Sequence, residues 1–226
     1  MARETTYSQT VATVAAQVRA LVRDTVFDLL PGVLRRGPEN PRRVALTFDD
    51  GPDHMTGRFL DELDRLGVPA TFFLLGGSAA ALPDMVREYI RRGHQLAGHG
   101  YDHQRFTKLA RRELLDQCAR TEQLLGGQPT GKSWVRPPHG SLDAASLLTL
   151  LTNNYTVAMW TLDACDYSDH DPASLAARCS PTNVQPGEVI LLHEGQTWTL
   201  EALPGIVGPL QDAGYEFVTM QDLFAV

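Results

Sequence analysis

Two adjacent aspartates, Asp49 and Asp50, close an apolar run at positions 43–48 and are followed by Gly51 and Pro52. Neighbouring carboxylates repel, so such a pair persists best where a cation or an arginine compensates it. On extended backbone successive side chains point to opposite faces, which lets the two aspartates take different tasks. Taken alone, Asp-Asp-Gly-Pro is more often a turn than a site. His99 and His103 are four residues apart, a spacing that brings two imidazoles to one side of a helical turn. Gly98 and Gly100 flank the first of them and mark a loop where backbone comes close to something. Two imidazoles and one carboxylate would leave coordination positions open for water and substrate, as a catalytic metal site needs.

The elements that must position these groups begin at residue 43, where short apolar runs start to alternate with helical patterns. Runs at 43–48, 70–75, 95–97, 133–135, 156–160, 189–192 and 216–219 read as strands. Helical patterns fall at 56–66, 82–92, 111–125, 144–151, 173–179 and 200–213, with Gly67 and Gly93 stopping the first two. This alternation implies an α/β fold with a parallel sheet and helical crossovers. About seven such units favour a closed or nearly closed (β/α) barrel over an open doubly wound sheet. No glycine-rich phosphate loop follows any strand to support the nucleotide-binding form of the open sheet. In a parallel barrel the C-terminal strand ends share one rim. Asp49, Asp50, His99, His103, Arg136, Asp163, Asp166 and His193 all follow or end a strand, so distant parts of the chain converge there.

The 226 residues suffice for one core, and the apolar (43%) and charged (21%) shares are those of an ordinary globular protein. A formal charge of −7 argues against a nucleic-acid partner, which requires a basic surface, and leaves neutral ligands such as sugars open. Cys118, Cys165 and Cys179 form no Cys-x-x-Cys pair, so free thiols are expected rather than a disulfide framework or a zinc knuckle.

Specificity comes from the ordered set: Thr-Phe-Asp-Asp-Gly at 47–51, His-x-x-x-His at 99–103, Arg-Pro-Pro-His-Gly at 136–140, Asp-x-x-Asp-Tyr at 163–167 and Leu-Leu-His at 191–193. Over about residues 43–223 this series resembles the polysaccharide deacetylase family (the NodB homology domain), which includes chitin and peptidoglycan deacetylases. The resemblance implies a distorted, incomplete (β/α) barrel and a metal-dependent hydrolase that removes acetyl groups from N-acetylated sugars. By similarity Asp49 is the general base, while Asp50, His99 and His103 bind one divalent ion, usually zinc, with cobalt, nickel or manganese as alternatives. Arg136 would orient Asp49, and His193 would protonate the departing amine with Asp163 holding its imidazole. The backbone N–H of His139 would help stabilise the oxyanion, Leu191 would line the acetyl-methyl pocket, and Tyr167 would form a sugar-facing wall. Asp166 could simply bond its own loop, and His54, His94 and His170 read as structural or solvated. Phe73, Trp134 and Trp160 read as core, whereas Trp198 is a candidate sugar-stacking surface.

The match departs from the family pattern at Gly100, where Ser or Thr is usual, at His139, where an aromatic residue is usual, and at Tyr167, where tryptophan is usual. An O-acetyl esterase of the xylan type, an intracellular deacetylase of a small N-acetylated compound and a non-catalytic carbohydrate-binding protein are the rival readings. Residues 1–42 divide from the catalytic domain as an amphipathic helix and a breaker-rich connector. Val11, Val14, Val18, Leu21, Val22, Val26 and Leu29 recur at helical spacing, a stripe that would dock on the domain or lie on a membrane surface. No transmembrane segment and no secretory leader is legible, which favours a cytoplasmic location unless an export segment is missing.

Overall fold

The computed structural model describes residues 27, 29–126 and 133–225, and the N-terminal stripe, apart from Leu29, lies outside them. Among the described residues no helix is long and apolar enough to cross a membrane. Strand β1 (Val33–Leu34) sits inside the connector, and β2 (Arg43–Asp49) follows it. Next come α1 (Thr56–Leu66), β3 (Thr71–Leu74), α2 (Gly76–Ala81), α3 (Pro83–Arg91), β4 (Gln95–Gly98), α4 (Arg111–Leu124) and β5 (Ser133–Val135). The chain continues through α5 (Ala144–Thr152), β6 (Tyr155–Ala158), β7 (Leu162–Asp163), α6 (Pro172–Arg178) and β8 (Val189–His193). It ends with α7 (Thr197–Asp212), β9 (Glu216–Phe217) and α8 (Met220–Phe224).

The strand order is β1-β6-β5-β4-β3-β2-β8-β7, with β9 added on β2, and every pairing is parallel. Arg36, just past β1, makes a single antiparallel bridge with Glu188, just before β8, and the two side chains form an ion pair at 2.7 Å. The ends of the sheet thus approach across a seam without a continuous ladder, and the result is a distorted, incomplete (β/α) barrel. The strands beyond the seven read from the sequence, β1 and β7, have two residues each, too few to print an alternating pattern.

Helix α1 buries Thr56, Phe59, Leu60 and Leu63, the spacing of one helical face, and ends where Gly67 adopts φ 68°, a conformation glycine takes without a Cβ clash. Along β2 the side chains alternate. Val44, Leu46 and Phe48 join the core between sheet and helices, while Ala45 packs in a separate cluster with Phe73, Ala97, Ala158 and Val189. That second cluster is the barrel interior, and its alanines keep it roomy. The end of the chain plugs it from below: Met220 and Leu223 pack there, the Met220 N–H donates to Thr71 Oγ1 at 2.8 Å, and the Gln221 N–H donates to Gln95 Oε1 at 2.8 Å.

Because the interior is filled, enlarging an inward alanine should overpack it. Ala97→Leu is expected to lower the unfolding free energy by about 1–3 kcal/mol, read from chemical denaturation, without loss of the parallel sheet signature in circular dichroism.

Candidate active site

Arg136, which follows β5, is fully buried inside the barrel. A buried guanidinium requires a counter-charge and acceptors. It donates to Asp49 Oδ1 at 2.7 Å and to Thr47 Oγ1 at 2.9 Å, both on the inward side of β2, and to the Ala158 and Met159 carbonyls at 3.3 Å. Its guanidinium carbon lies 3.8 Å from the centroid of the Phe73 ring and 5.6 Å from that of Trp160. Asp49 is nearly as buried. Burial alone would raise its pKa, but the Arg136 guanidinium, by its charge and its hydrogen bond, and the protonated His193 outweigh that and hold it below the ordinary carboxylate range. The carboxylate is therefore kept ionised with one oxygen pinned and the other facing the rim.

The next residue turns away from the strand. Asp50 has φ 76° and directs Oδ1 to within 3.2 Å of His103 Nε2 and 3.6 Å of His99 Nε2. This oxygen is buried and has no hydrogen-bond partner. Buried polar atoms without partners are rare, and a cation is one thing that satisfies them. His99 Nδ1 bonds the Arg136 carbonyl at 2.8 Å, and a carbonyl only accepts, so the proton sits on Nδ1 and Nε2 keeps its lone pair. Burial, opposed by the two aspartates, lowers the pKa of His99 and favours this neutral form. The donor atoms of Asp50, His99 and His103 lie within 4.8 Å of one another, a set suited to one divalent ion. The loop carrying the histidines is itself held by α4: Thr121 Oγ1 donates to the Gly100 carbonyl at 2.9 Å, and Gln117 Oε1 accepts from the Tyr101 N–H at 3.0 Å. Gly100 has φ 74°, so a serine or threonine there would carry backbone strain.

His193 ends β8 in register with Asp49. Its Nδ1 is 2.7 Å from Asp166 Oδ1, not from Asp163 as the motif reading expected. Asp166 is fully buried and accepts twice more, from the His193 N–H and from Thr199 Oγ1, both at 2.7 Å. The chain reverses at Cys165, with φ 60°, which brings Asp166 under the imidazole and leaves Asp163 to accept the Cys165 N–H at 2.7 Å. Burial pushes the pKa of His193 down, but Asp166 and the nearby Asp49 and Asp50 charges raise it to about 9.

These groups share a cleft of about 440 Å³ lined by Asp49, Asp50, His99, His103, Asp163 and His193, with His139, Tyr167, Leu191, Trp160 and Gln196 among the remaining walls. Tyr167 is 59% exposed and its ring stands at 80° to that of His193, so it can present a face to a ligand. The His139 ring packs 4.3 Å from that of His103, on a residue with φ 57°. Non-glycine residues with positive φ thus gather at this rim, as strained backbone does at functional sites. Trp160, read as core, is half-buried and forms a wall. Gly140 makes this approach possible, since a Cβ there would meet the indole at 2.8 Å. Trp198 is not among the walls: its Nε1 donates to the Asp166 carbonyl at 2.7 Å and its ring stacks on His170. His54 is exposed, and His94 is buried and accepts the Ala70 N–H at 3.1 Å, a structural role.

Residues 36–158 match the family model described as polysaccharide deacetylase, and the chain belongs to that family. It is 34% identical over 197 residues to a peptidoglycan-N-acetylglucosamine deacetylase of Bacillus cereus, an alignment covering 83% of this chain and 70% of that one. It spans less than half of several longer curated relatives. Among solved structures it superposes with a TM-score of 0.80 and 32% identity on a crystal structure of a peptidoglycan N-acetylglucosamine deacetylase, covering 85% of this chain and 92% of that one. A CE4-family pseudoenzyme of Bacillus anthracis is also similar, with a TM-score of 0.78, 26% identity and coverage of 87% and 70%. The family places the chain among hydrolases acting on carbon–nitrogen bonds other than peptide bonds, a generally metal-dependent class to which the Asp50, His99 and His103 cluster conforms.

The His193 pairing separates the two aspartates. Asp166→Asn should drop the imidazole pKa by more than one unit in an NMR titration, since burial remains and the compensating charge is gone. Asp163→Asn should leave it nearly unchanged, and the opposite pattern would restore the motif reading.

Proposed function

We propose that the chain removes the acetyl group from N-acetylglucosamine units of a peptidoglycan-type glycan, using one zinc ion held by Asp50, His99 and His103. The observation that carries this is the buried, unpartnered Asp50 Oδ1 between two imidazole nitrogens, next to an ionised carboxylate and a protonated histidine. Two imidazoles and one carboxylate suit zinc while leaving coordination open, and the same donors would accept cobalt, nickel or manganese. A divalent ion held there supplies Lewis acidity toward the acetyl carbonyl and the attacking water.

Asp49 takes the proton from that water with Oδ2, because Arg136 occupies Oδ1 and fixes the carboxylate plane. The backbone N–H of His139 is offered to the developing oxyanion, and Leu191 to the acetyl methyl group. His193 then gives its proton to the amine as the carbon–nitrogen bond breaks. An amide nitrogen leaves poorly unless protonated, whereas an alkoxide leaving group needs this help less. A histidine raised to about 9 by a buried carboxylate therefore favours the amide over the O-acetyl ester. Tyr167 and Trp160 supply the aromatic faces on which sugar rings pack. The intact base, acid and donor set favours turnover over a binding role, although the fold also serves a pseudoenzyme.

Acetate release from N-acetylglucosamine oligosaccharides should depend on added zinc, and Asp49→Asn should cut kcat by about 10²–10⁴ with little change in KM. Asparagine is the informative change, because its amide oxygen still accepts from Arg136, whereas Asp49→Ala would take away that acceptor along with the counter-charge. Release that survived Asp49→Asn would remove the assigned base. Since His193 must carry its proton, and its raised pKa preserves that proton through neutral pH, kcat/KM should fall as pH rises through about 9. His193→Ala should abolish that limb.

A further inference from the structure

Directly after His193, Glu194 carries a buried carboxyl group that the hydrolytic steps do not use. Its Oε2 accepts from Tyr89 of α3 at 2.6 Å and its Oε1 from Thr56 of α1 at 3.0 Å. Thr56 Oγ1 also accepts the Asp53 N–H at 2.8 Å and contacts the Tyr89 hydroxyl at 3.2 Å. The Glu194 N–H donates to the Asp49 carbonyl at 3.0 Å. One residue thereby joins the end of β8, the end of β2, the first turn of α1 and the last turn of α3.

The carboxyl also lies directly against Gly51. A Cβ at that position would stand 1.7 Å from Glu194 Oε2, 2.6 Å from its carboxyl carbon and 2.8 Å from the Tyr89 hydroxyl. On its other side Gly51 gives its carbonyl to the Leu75 N–H at 2.9 Å. The residue after Asp50 is thus clamped between β3 and the Glu194 carboxyl. Asp50 itself has positive φ, a conformation that costs a non-glycine residue energy and holds only where neighbours enforce it.

We propose that Glu194 is a positioning residue for the metal-binding loop: its carboxyl group seats Gly51 and so fixes the direction in which Asp50 presents Oδ1 to His99 and His103. The inference rests on the reading of those three residues as a metal site. Because Glu194 adjoins His193 in sequence and bonds the Asp49 main chain, it also couples the height of the base to that of the acid on the neighbouring strand.

The test compares Glu194→Ala, Glu194→Gln, Gly51→Ala and the double variant Gly51→Ala/Glu194→Ala. Zinc dissociation constants come from competition with a chromogenic chelator, and amide exchange of residues 49–55 is followed in metal-free protein. Glu194→Ala should weaken zinc binding by about tenfold or more and speed exchange in that loop, while β3 and β5 keep their protection. Glu194→Gln, which keeps the volume, accepts one of the two hydrogen bonds and can donate its amide N–H to the other hydroxyl, should stay within about threefold of the parent. Gly51→Ala should weaken zinc binding in the parent but add little in the Glu194→Ala background, because the clashing carboxyl is gone. Unchanged zinc affinity and loop exchange in Glu194→Ala would overturn the inference, as would additive losses in the double variant. If the parent itself bound no zinc while loop exchange still responded to Glu194→Ala, the metal assignment would fall and the seating of the loop would stand.

Discussion

The buried pair of Arg136 and Asp49 is the constraint on which the rest of the site is built. A guanidinium at zero exposure is tolerable only with its charge balanced and its N–H groups accepted. Every element that satisfies it is thereby held at a fixed distance from the others: Thr47 and Asp49 from β2, the carbonyls of Ala158 at the end of β6 and of Met159 just after it, and Phe73 from β3. The small inward side chains Ala45, Ala97 and Ala158 leave the volume in which the pair sits. Its own carbonyl accepts the His99 Nδ1–H, so the residue that pins the Asp49 carboxylate also sets the tautomer of His99. The Asp49 carboxylate and the Asp50, His99 and His103 cluster are thus coupled through one side chain and one peptide group.

Around this pair the rim divides its electrostatics into two halves. On the Asp49 side, burial favours neutral imidazole at His99, while the Arg136 cation keeps the Asp49 carboxylate ionised against the effect of burial. On the neighbouring strand β8, the buried Asp166 keeps His193 protonated. A proton acceptor and a proton donor therefore coexist at neutral pH within one cleft because different neighbours push their pKa values apart. The cost is local backbone strain at Asp50, His103, His139 and Cys165, each with positive φ, which the parallel sheet beneath and the contacts from α4 and the region of Glu194 hold in place.

Much of this was legible in the sequence because the chemistry sits where strands end. Asp49, Asp50, Arg136 and His193 each follow or close an apolar run, and strand ends in a parallel barrel face one way. The spacing of His99 and His103 was equally readable, although the structure places them on a loop with positive φ at His103 rather than on a regular helix. What escaped was set by turns rather than by pattern. Asp163 and Asp166 are indistinguishable as letters in one motif, and only the reversal at Cys165 decides which reaches His193. The buried partner Thr199, in the first turn of α7, was the remaining signal for Asp166. Trp160 read as core because a strand pattern says nothing of the notch that Gly140 opens beside it. Strands β1 and β7 were too short to carry periodicity at all.

The central claim is that a single divalent ion at Asp50, His99 and His103 makes this cleft a deacetylase. Stepwise addition of zinc to metal-stripped protein, with acetate release from an N-acetylglucosamine oligosaccharide followed at each step, tests it most directly. The account predicts no turnover without metal and a linear gain that breaks at about one equivalent, the stoichiometry of a three-ligand catalytic centre. Full turnover in the stripped protein, or uptake of zinc without any acetate release, would contradict it.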